Sequence, residues 1–278
     1  MTSSMERPPD TRRDAILEAV GFAAEHLLRS REWQDAADDV LARLGAATHA
    51  SRVYIFRNGE APDGRLTTTQ IHEWCAPGIH SELENPVMQD QLWEEQGLGR
   101  WVEILSAGLP VQGHARDLDP IERELLESQG IRSILAVPVT VDDAWWGHMG
   151  FDDCLSERDW SAGELDALRV AASMLAAAIG RQQAEANLRE REDLYRTLVE
   201  QIPAVVYINQ VSAEWISIYT SPRVKELFDV TPEEYRDGHL WLEFVHPEDR
   251  ERVLAEDVRT DVTLEPFDIE YRMVLRNG

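Results

Sequence analysis

Cysteine is nearly absent from this chain of 278 residues, which contains only Cys75 and Cys154. Two cysteines cannot form the set of bridges that holds small secreted domains together, and this usage is typical of a reducing compartment. Long hydrophobic runs are also absent, because no stretch approaches the ~20 apolar residues of a membrane-spanning helix. The polar, proline-containing residues 1–10 do not resemble a signal peptide. We therefore expect a soluble, cytoplasmic protein that begins with a disordered tail over residues 1–10.

Positive charge is scarce as well. The chain has 27 Lys and Arg against 52 Asp and Glu, which gives a formal net charge of -25. Nucleic-acid backbones and anionic membranes would repel such a chain, so we expect neither as a partner. A hydrophobic content of 43% with nine Trp is enough for packed cores. The length allows two domains of ordinary size.

One long helix is predicted over residues 161–200. Ser161 and Glu164 have the spacing of a capping box, which marks the start of a helix. Apolar residues then follow in alternating steps of three and four, as in a coiled coil. At 1.5 Å per residue the helix would be roughly 50–60 Å long, which favours a connector between two globular parts. We expect two copies to pair in parallel through a seam made of Leu168, Leu175 and Ile179.

The alternating steps of three and four add up to a seven-residue repeat, and this repeat changes register beyond Asn187. Leu188, Tyr195 and Ile202 continue it in a displaced register. Such a slip changes the supercoil locally.

The part of the chain before this helix is predicted to contain, in order, helix, helix, strand, strand, insertion, helix, strand and strand. This order, with the segments IRSILAVPV and WWGHMGFDDC, is similar to a GAF domain over residues 11–181. The resemblance implies an α+β fold, in which helices flank an antiparallel sheet, and a small-molecule ligand on the sheet face under the insertion.

The part after the helix carries YRTLVEQIPAVVYI, YTSPRVKELF, WLEFVHPEDR and FDIEYRMVLRNG. These segments resemble a PAS domain of the bacterial sensor type over residues 201–278. A PAS sheet has five strands, and the third is predicted at residues 267–276. We therefore expect an incomplete PAS sheet that lacks its last two strands, and an output domain that lies outside this chain.

A ligand site is predicted on the second strand of the later hairpin. Alternation along a strand puts Trp146, His148 and Asp152 on one face and Met149 with Phe151 on the other, core face. Flat apolar side chains with a few polar groups are typical of a small-molecule pocket. The alternative is that the Trp side chains simply fill a core. The predicted ligand-binding residues are Trp74, Trp93, Trp101, His114, Trp146, His148 and Asp152.

No motif indicates a catalytic centre or identifies a cofactor. His72, His114 and His148 lie on different elements without paired spacing, so a metal site is not expected. Asp152 and Asp153 are expected at a solvated strand end. A GAF domain that carries a bilin needs a cysteine in a motif that this sequence does not contain.

These patterns predict the sensory input module of a bacterial signal-transduction protein. Its GAF domain would bind a small molecule and act through the helix and the PAS domain on a histidine kinase or a cyclic-dinucleotide enzyme. One alternative is a thiol-dependent reductase that uses Cys75 or Cys154, which would need a thiol of low pKa. Another is a dimerisation scaffold without a ligand.

Overall fold

The computed structural model describes residues 11–210, 216–235 and 240–276, so the predicted tail at residues 1–10 lies outside the described residues. The chain forms two compact units, the first ending at Ala186 and the second beginning at Asn187. The helices of the first unit are α1 (Thr11–Arg29), α2 (Gln34–Thr48), α3 (Gly99–Ser106), α4 (Pro120–Ser128) and the start of α5 (Ala162–Gln201). Its strands are β1 (Arg52–Glu60), β2 (Leu66–Cys75), β3 (Gln91–Leu92), β4 (Val111–His114), β5 (Ser133–Val141) and β6 (Ala144–Asp153).

The six strands form one antiparallel sheet in the order β3-β2-β1-β6-β5-β4. One face packs against α1, α2 and α5, and the other is covered by α3, α4 and the connection at residues 76–98. The predicted α+β fold with an antiparallel sheet and flanking helices is confirmed. Of the helices that the structure describes, none is both long and apolar enough to cross a bilayer.

Local sequence signals explain the main boundaries. The Ser161 backbone N–H donates to Glu164 at 2.9 Å, and the Glu164 N–H donates to the Ser161 hydroxyl at 3.3 Å. This reciprocal capping box starts α5, whose 40 residues correspond to about 60 Å. Asp142 and Asp143, between β5 and β6, both have positive φ (48° and 63°), as a type I′ hairpin turn requires.

The predicted dimer seam is wrong, because its residues lie in the core of a single chain. Leu168, Leu175 and Ile179 are 0–2% exposed and pack with α1, α2 and the sheet. The three-four spacing predicted a buried stripe correctly. It could not distinguish a partner helix from the protein's own sheet, because both require the same apolar spacing.

The predicted face of Trp146 is also wrong. The β5–β6 pairing shifts between Val139, which faces Gly147, and Thr140, which faces Trp145. One extra residue in β6 reverses the alternation at this point, as a β-bulge does. Trp146 therefore packs on the helix-covered face, with its ring centroid 5.8 Å from that of Trp33.

In the second unit, the residues that the structure describes form the second half of α5, a two-stranded sheet and four further helices. Besides α5, these elements are β7 (Tyr207–Gln210), β8 (Ile216–Thr220), α6 (Arg223–Phe228), α7 (Pro232–Tyr235), α8 (Leu240–Phe244) and α9 (Arg250–Thr263). A second capping box, Thr231 with Glu234, precedes α7. The prediction of a strand at residues 267–276 is wrong. The described residues there form only one isolated β-bridge, between Met273 and Val245.

Replacing Leu175 by Glu is expected to unfold the first unit rather than to separate a dimer. The substitution puts an unpaired charge into a position that is 1% exposed, which should lower the free energy of unfolding by more than about 4 kcal/mol. Val170→Glu is the matched control on the same helix, because Val170 is 46% exposed. Urea denaturation measures both variants. Equal stability of the two would show that Leu175 is not a core residue.

Candidate ligand-binding site

A cavity of about 60 Å³, open to solvent on one side, lies on the sheet face opposite α1, α2 and α5. Strands β1, β2 and β6 form its floor, and α3, α4 and residues of the 76–98 connection form its walls. Its polar lining consists of Arg52, Tyr54, Thr68, Gln70, Glu73, Glu82, Gln91, Gln129, His148 and Asp152. Its apolar lining consists of Phe56, Met88, Trp93, Leu98, Trp101, Leu125, Leu126, Ile131 and Ile134.

A buried ion pair forms one end of the cavity. Arg52 and Asp152 face each other across the β1–β6 ladder and are 2% and 1% exposed. The Arg52 Nε lies 3.3 Å from Asp152 Oδ2, and its Nη2 donates to the Gln129 carbonyl at 3.0 Å. The Tyr54 hydroxyl donates to Asp152 Oδ1 at 2.9 Å. Burial raises the pKa of Asp152 to about 7, although the Arg52 charge acts in the opposite direction.

Glu73 on β2 fastens the 76–98 connection over the cavity. One of its carboxylate oxygens, Oε2, accepts from the backbone N–H of Glu82 at 2.8 Å and of Leu83 at 3.2 Å, and also from the Ser81 hydroxyl. Glu82 in turn places its Oε1 3.6 Å from Nη1 of Arg52. The connection is thus tied to both β1 and β2 by charged groups.

Several buried polar atoms in the lining have no hydrogen-bond partner among the described residues. They are Arg52 Nε, which only has the Asp152 carboxylate at 3.3 Å, and Thr68 Oγ1, Gln70 Nε2, Glu73 Oε1, Trp101 Nε1 and His148 Nδ1. Five of these side chains are only 2–4% exposed, Glu73 being the half-buried exception. Buried polar groups in folded proteins almost always have partners, and an unmet one costs about 1–3 kcal/mol. These atoms can therefore accept partners from a group inside the cavity, either water or a ligand.

Aromatic rings surround His148. The Phe56 and His148 rings are stacked, with centroids 5.0 Å apart and planes at 5°, and the Trp93 ring lies 5.8 Å from His148. Burial lowers the pKa of His148 to about 3, so the imidazole is neutral near pH 7. It can offer one donor and one acceptor, as neutral imidazole does.

Four of the predicted site residues line the cavity, namely Trp93, Trp101, His148 and Asp152. Asp152 is buried, so the expectation of a solvated strand end is wrong. The other three predicted residues, Trp74, His114 and Trp146, do not line it, so the prediction is wrong for them.

Two of these three residues are displaced for different reasons. Trp74 faces the helices, where a Cβ on Gly45 would lie 2.1 Å from its ring, so only glycine allows this close approach. His114 lies on β4, at the far edge of the sheet. There its ring nitrogens are 3.3 Å from Asp117 and 3.1 Å from Asp159.

The sequence prediction missed the polar residues of the floor. Arg52 and Tyr54 belong to the β-branched and aromatic segment RVYIF, whose composition predicts a strand but no site. Thr68 and Gln70 alternate along β2 in the same way. A charged residue at the start of an apolar strand, together with polar residues two apart on its neighbour, was the available signal.

The two thiols do not have the properties of a reductase. Cys75 faces Arg52 across the β1–β2 ladder, and the Cys154 N–H donates to the Ser51 hydroxyl at 2.9 Å. Burial raises the pKa of Cys75 to about 12 and also raises the pKa of Cys154. Thiol chemistry requires the thiolate, which both environments disfavour. Among the described residues no group of three or more His, Cys, Asp or Glu could hold a metal ion.

Replacing His148 by Phe should make stability less dependent on pH. An unfolded histidine has a pKa of about 6.5, whereas burial lowers the pKa of His148 to about 3. Its contribution is therefore present above about pH 6.5 and is lost as the pH falls toward 3, on the order of 5 kcal/mol in all. Asp152 acts in the opposite direction between about pH 4 and 7, because its pKa is raised, but it is common to both proteins.

Urea denaturation between pH 7 and 3.5 measures the effect of His148→Phe. Phe keeps the stacking on Phe56 and removes the titration. His80→Gln is the control, since His80 is exposed. Parallel stability curves for the wild type and His148→Phe would contradict the assignment.

Sequence models of two families match this chain. The GAF domain model matches residues 32–179, and the PAS fold model matches residues 217–278. The chain is 40% identical over 177 residues to the methanogenesis regulatory histidine kinase FilI of Methanothrix harundinacea. The aligned region covers 64% of this chain and 20% of FilI. The chain is also 28% identical over 155 residues to a protein of Azorhizobium caulinodans, which covers 55% of this chain and 21% of that protein. The chain thus spans about a fifth of the length of these relatives.

Solved structures agree with this result at the level of the fold. The chromophore-binding domain of an unusual bacteriophytochrome from R. palustris matches with a TM-score of 0.53 at 14% identity, over 65% of each chain. That of a Stigmatella aurantiaca bacteriophytochrome variant matches with a TM-score of 0.50 at 12% identity, over 63% of this chain and 62% of the other. At this identity the likeness concerns the fold alone. The chain belongs to the GAF domain family, and a PAS domain follows the GAF domain along the sequence.

Proposed function

We propose that this chain is the sensory input module of a cytoplasmic signal-transduction protein. Its GAF domain, assigned to residues 11–181, binds a small molecule in the cavity over the sheet. The bound state is passed through α5 and the PAS domain at residues 201–278 to an output domain. The similarity to FilI, a regulatory histidine kinase, favours a histidine kinase over a cyclic-dinucleotide enzyme as that output.

The observation that carries this proposal is the set of unpartnered polar atoms inside the cavity. A domain that served only as a scaffold would gain stability by filling this space with apolar side chains. Here Thr68, Gln70 and Trp101 are at least 96% buried and have no partner among the described residues. A stability cost that persists in a buried site is typical of a site kept for binding.

The position of α5 supports a role in relaying the signal. Its first half contributes Leu168 and Leu175 to the core behind the sheet, and the same helix continues to Gln201. A movement of the sheet would therefore displace the α5 residues that pack against it. Rigid elements with two arrangements are the physical means by which one site acts on another.

We propose that a homodimer forms through the second half of α5. Leu188 and Tyr195 are seven residues apart on α5 and are 59% and 68% exposed, and Leu198, which is 52% exposed, follows on the same helix. Ile202 continues the repeat one residue beyond the end of α5 and is 43% exposed. An exposed apolar heptad stripe is suited to pairing with a second copy of itself. Sedimentation of the Leu198→Glu variant tests this. A monomer supports the proposed seam, and an unchanged dimer contradicts it.

Native mass spectrometry of the chain purified from its source cells tests ligand binding. The wild type should carry the added mass of a small molecule, and Thr68→Met, which fills the cavity, should lose that mass. Thr67→Met is the matched control, because Thr67 is the neighbouring buried threonine and does not line the cavity. Retention of the mass by Thr68→Met, or a wild type without bound mass, would contradict the proposal.

A further inference from the structure

The size of the cavity limits the part of a ligand that can enter it. Its volume of about 60 Å³ is less than half of the roughly 150 Å³ of an engineered cavity that accommodates benzene. Only a group of a few heavy atoms fits inside, and a larger ligand would have to extend toward the mouth. The chemistry of the unpartnered atoms therefore describes a compact head group.

The unpartnered atoms of the cavity include both hydrogen-bond donors and hydrogen-bond acceptors. Trp101 Nε1 and Gln70 Nε2 can only donate, so the head group needs an acceptor oxygen. Glu73 Oε1 can only accept while its carboxylate is ionised, so the head group also needs an N–H or O–H donor. Glu73 is held in place because its other oxygen is engaged by residues 81–83.

The charges around the cavity disfavour an anion. The Arg52 guanidinium is already paired with Asp152 and lies 3.6 Å from Glu82. Glu73 adds a further carboxylate to the same lining. A carboxylate or phosphate head group would meet Glu73 without a free cation to balance it, and burying such a charge is costly.

We propose that the ligand inserts an uncharged amide- or urea-type head group, which joins an N–H donor to a carbonyl acceptor. The carbonyl accepts from Trp101 and Gln70, and the N–H donates to Glu73. This inference rests on the proposed ligand-binding function and assigns the chemical class that the site selects.

Three probes of one shape separate the possibilities: acetamide, acetate and acetamidinium. Acetamide carries both a donor and an acceptor, acetate carries only acceptors with a negative charge, and acetamidinium carries only donors with a positive charge. Each is titrated at constant ionic strength into the full ¹⁵N-labelled chain, and the indole N–H signals of the nine Trp are followed. Trp101→Phe identifies the Trp101 signal, and Trp145→Phe identifies the control. The Trp145 indole is likewise unpartnered among the described residues but lies outside the cavity lining.

We expect acetamide to move the Trp101 signal saturably and to leave the Trp145 signal in place, with each charged probe binding about ten-fold more weakly or worse. Glu73→Gln keeps an oxygen for residues 81–83 and turns the free acceptor into a donor. It should therefore weaken acetamide and strengthen acetate.

Three results would overturn the head-group assignment: tighter binding of acetate than of acetamide to the wild type, an unchanged order of affinities in Glu73→Gln, or no saturable shift of Trp101. A ligand retained in native mass spectrometry alongside any of them would leave the sensor function standing. The absence of a retained ligand would contradict the sensor function itself.

Discussion

The ion pair between Arg52 and Asp152 is the interaction on which the candidate ligand site depends. Burying two charges costs several kcal/mol each, and their attraction offsets this only if the remaining polar atoms are satisfied. Tyr54, Gln129 and the nearby Glu82 provide that environment. The pair thereby links β1, β6, the end of α4 and the 76–98 connection at one point. The cavity lies where these elements meet.

The long helix and the sheet could be predicted because their signals are local. A capping box, a three-four stripe and a two-aspartate turn each act within a few residues. The faces of β6 could not be predicted, because the bulge beside Trp146 depends on pairing with β5, which is remote in sequence. The partner of Leu168 was mistaken for a second copy for a similar reason. Periodicity shows that a face is buried but not what buries it. Four of seven predicted ligand residues lie in the cavity because the insertion does cover the predicted sheet face.

The two faces of the sheet serve different purposes. Behind it, Val53, Ile55, Met149 and Phe151 pack against the helices in an apolar core. In front, the same strands present Arg52 and other polar side chains to a small cavity. Stability resides mainly on the first face because it holds the largest apolar cluster. The second face carries the cavity that we propose as the ligand site, whereas α5 packs on the first face.

The central claim is that the polar residues of the cavity floor are kept for recognition rather than for stability. Urea denaturation of an Arg52→Met/Asp152→Leu double variant, compared with Asp152→Leu alone, tests this most directly. Removing one partner leaves a buried, unpaired charge and should lower the free energy of unfolding by about 3–5 kcal/mol. Replacing both partners should leave that free energy within about 1 kcal/mol of the wild-type value, or raise it. A double variant as unstable as the single one would show that the ion pair is required by the fold, and would contradict the account.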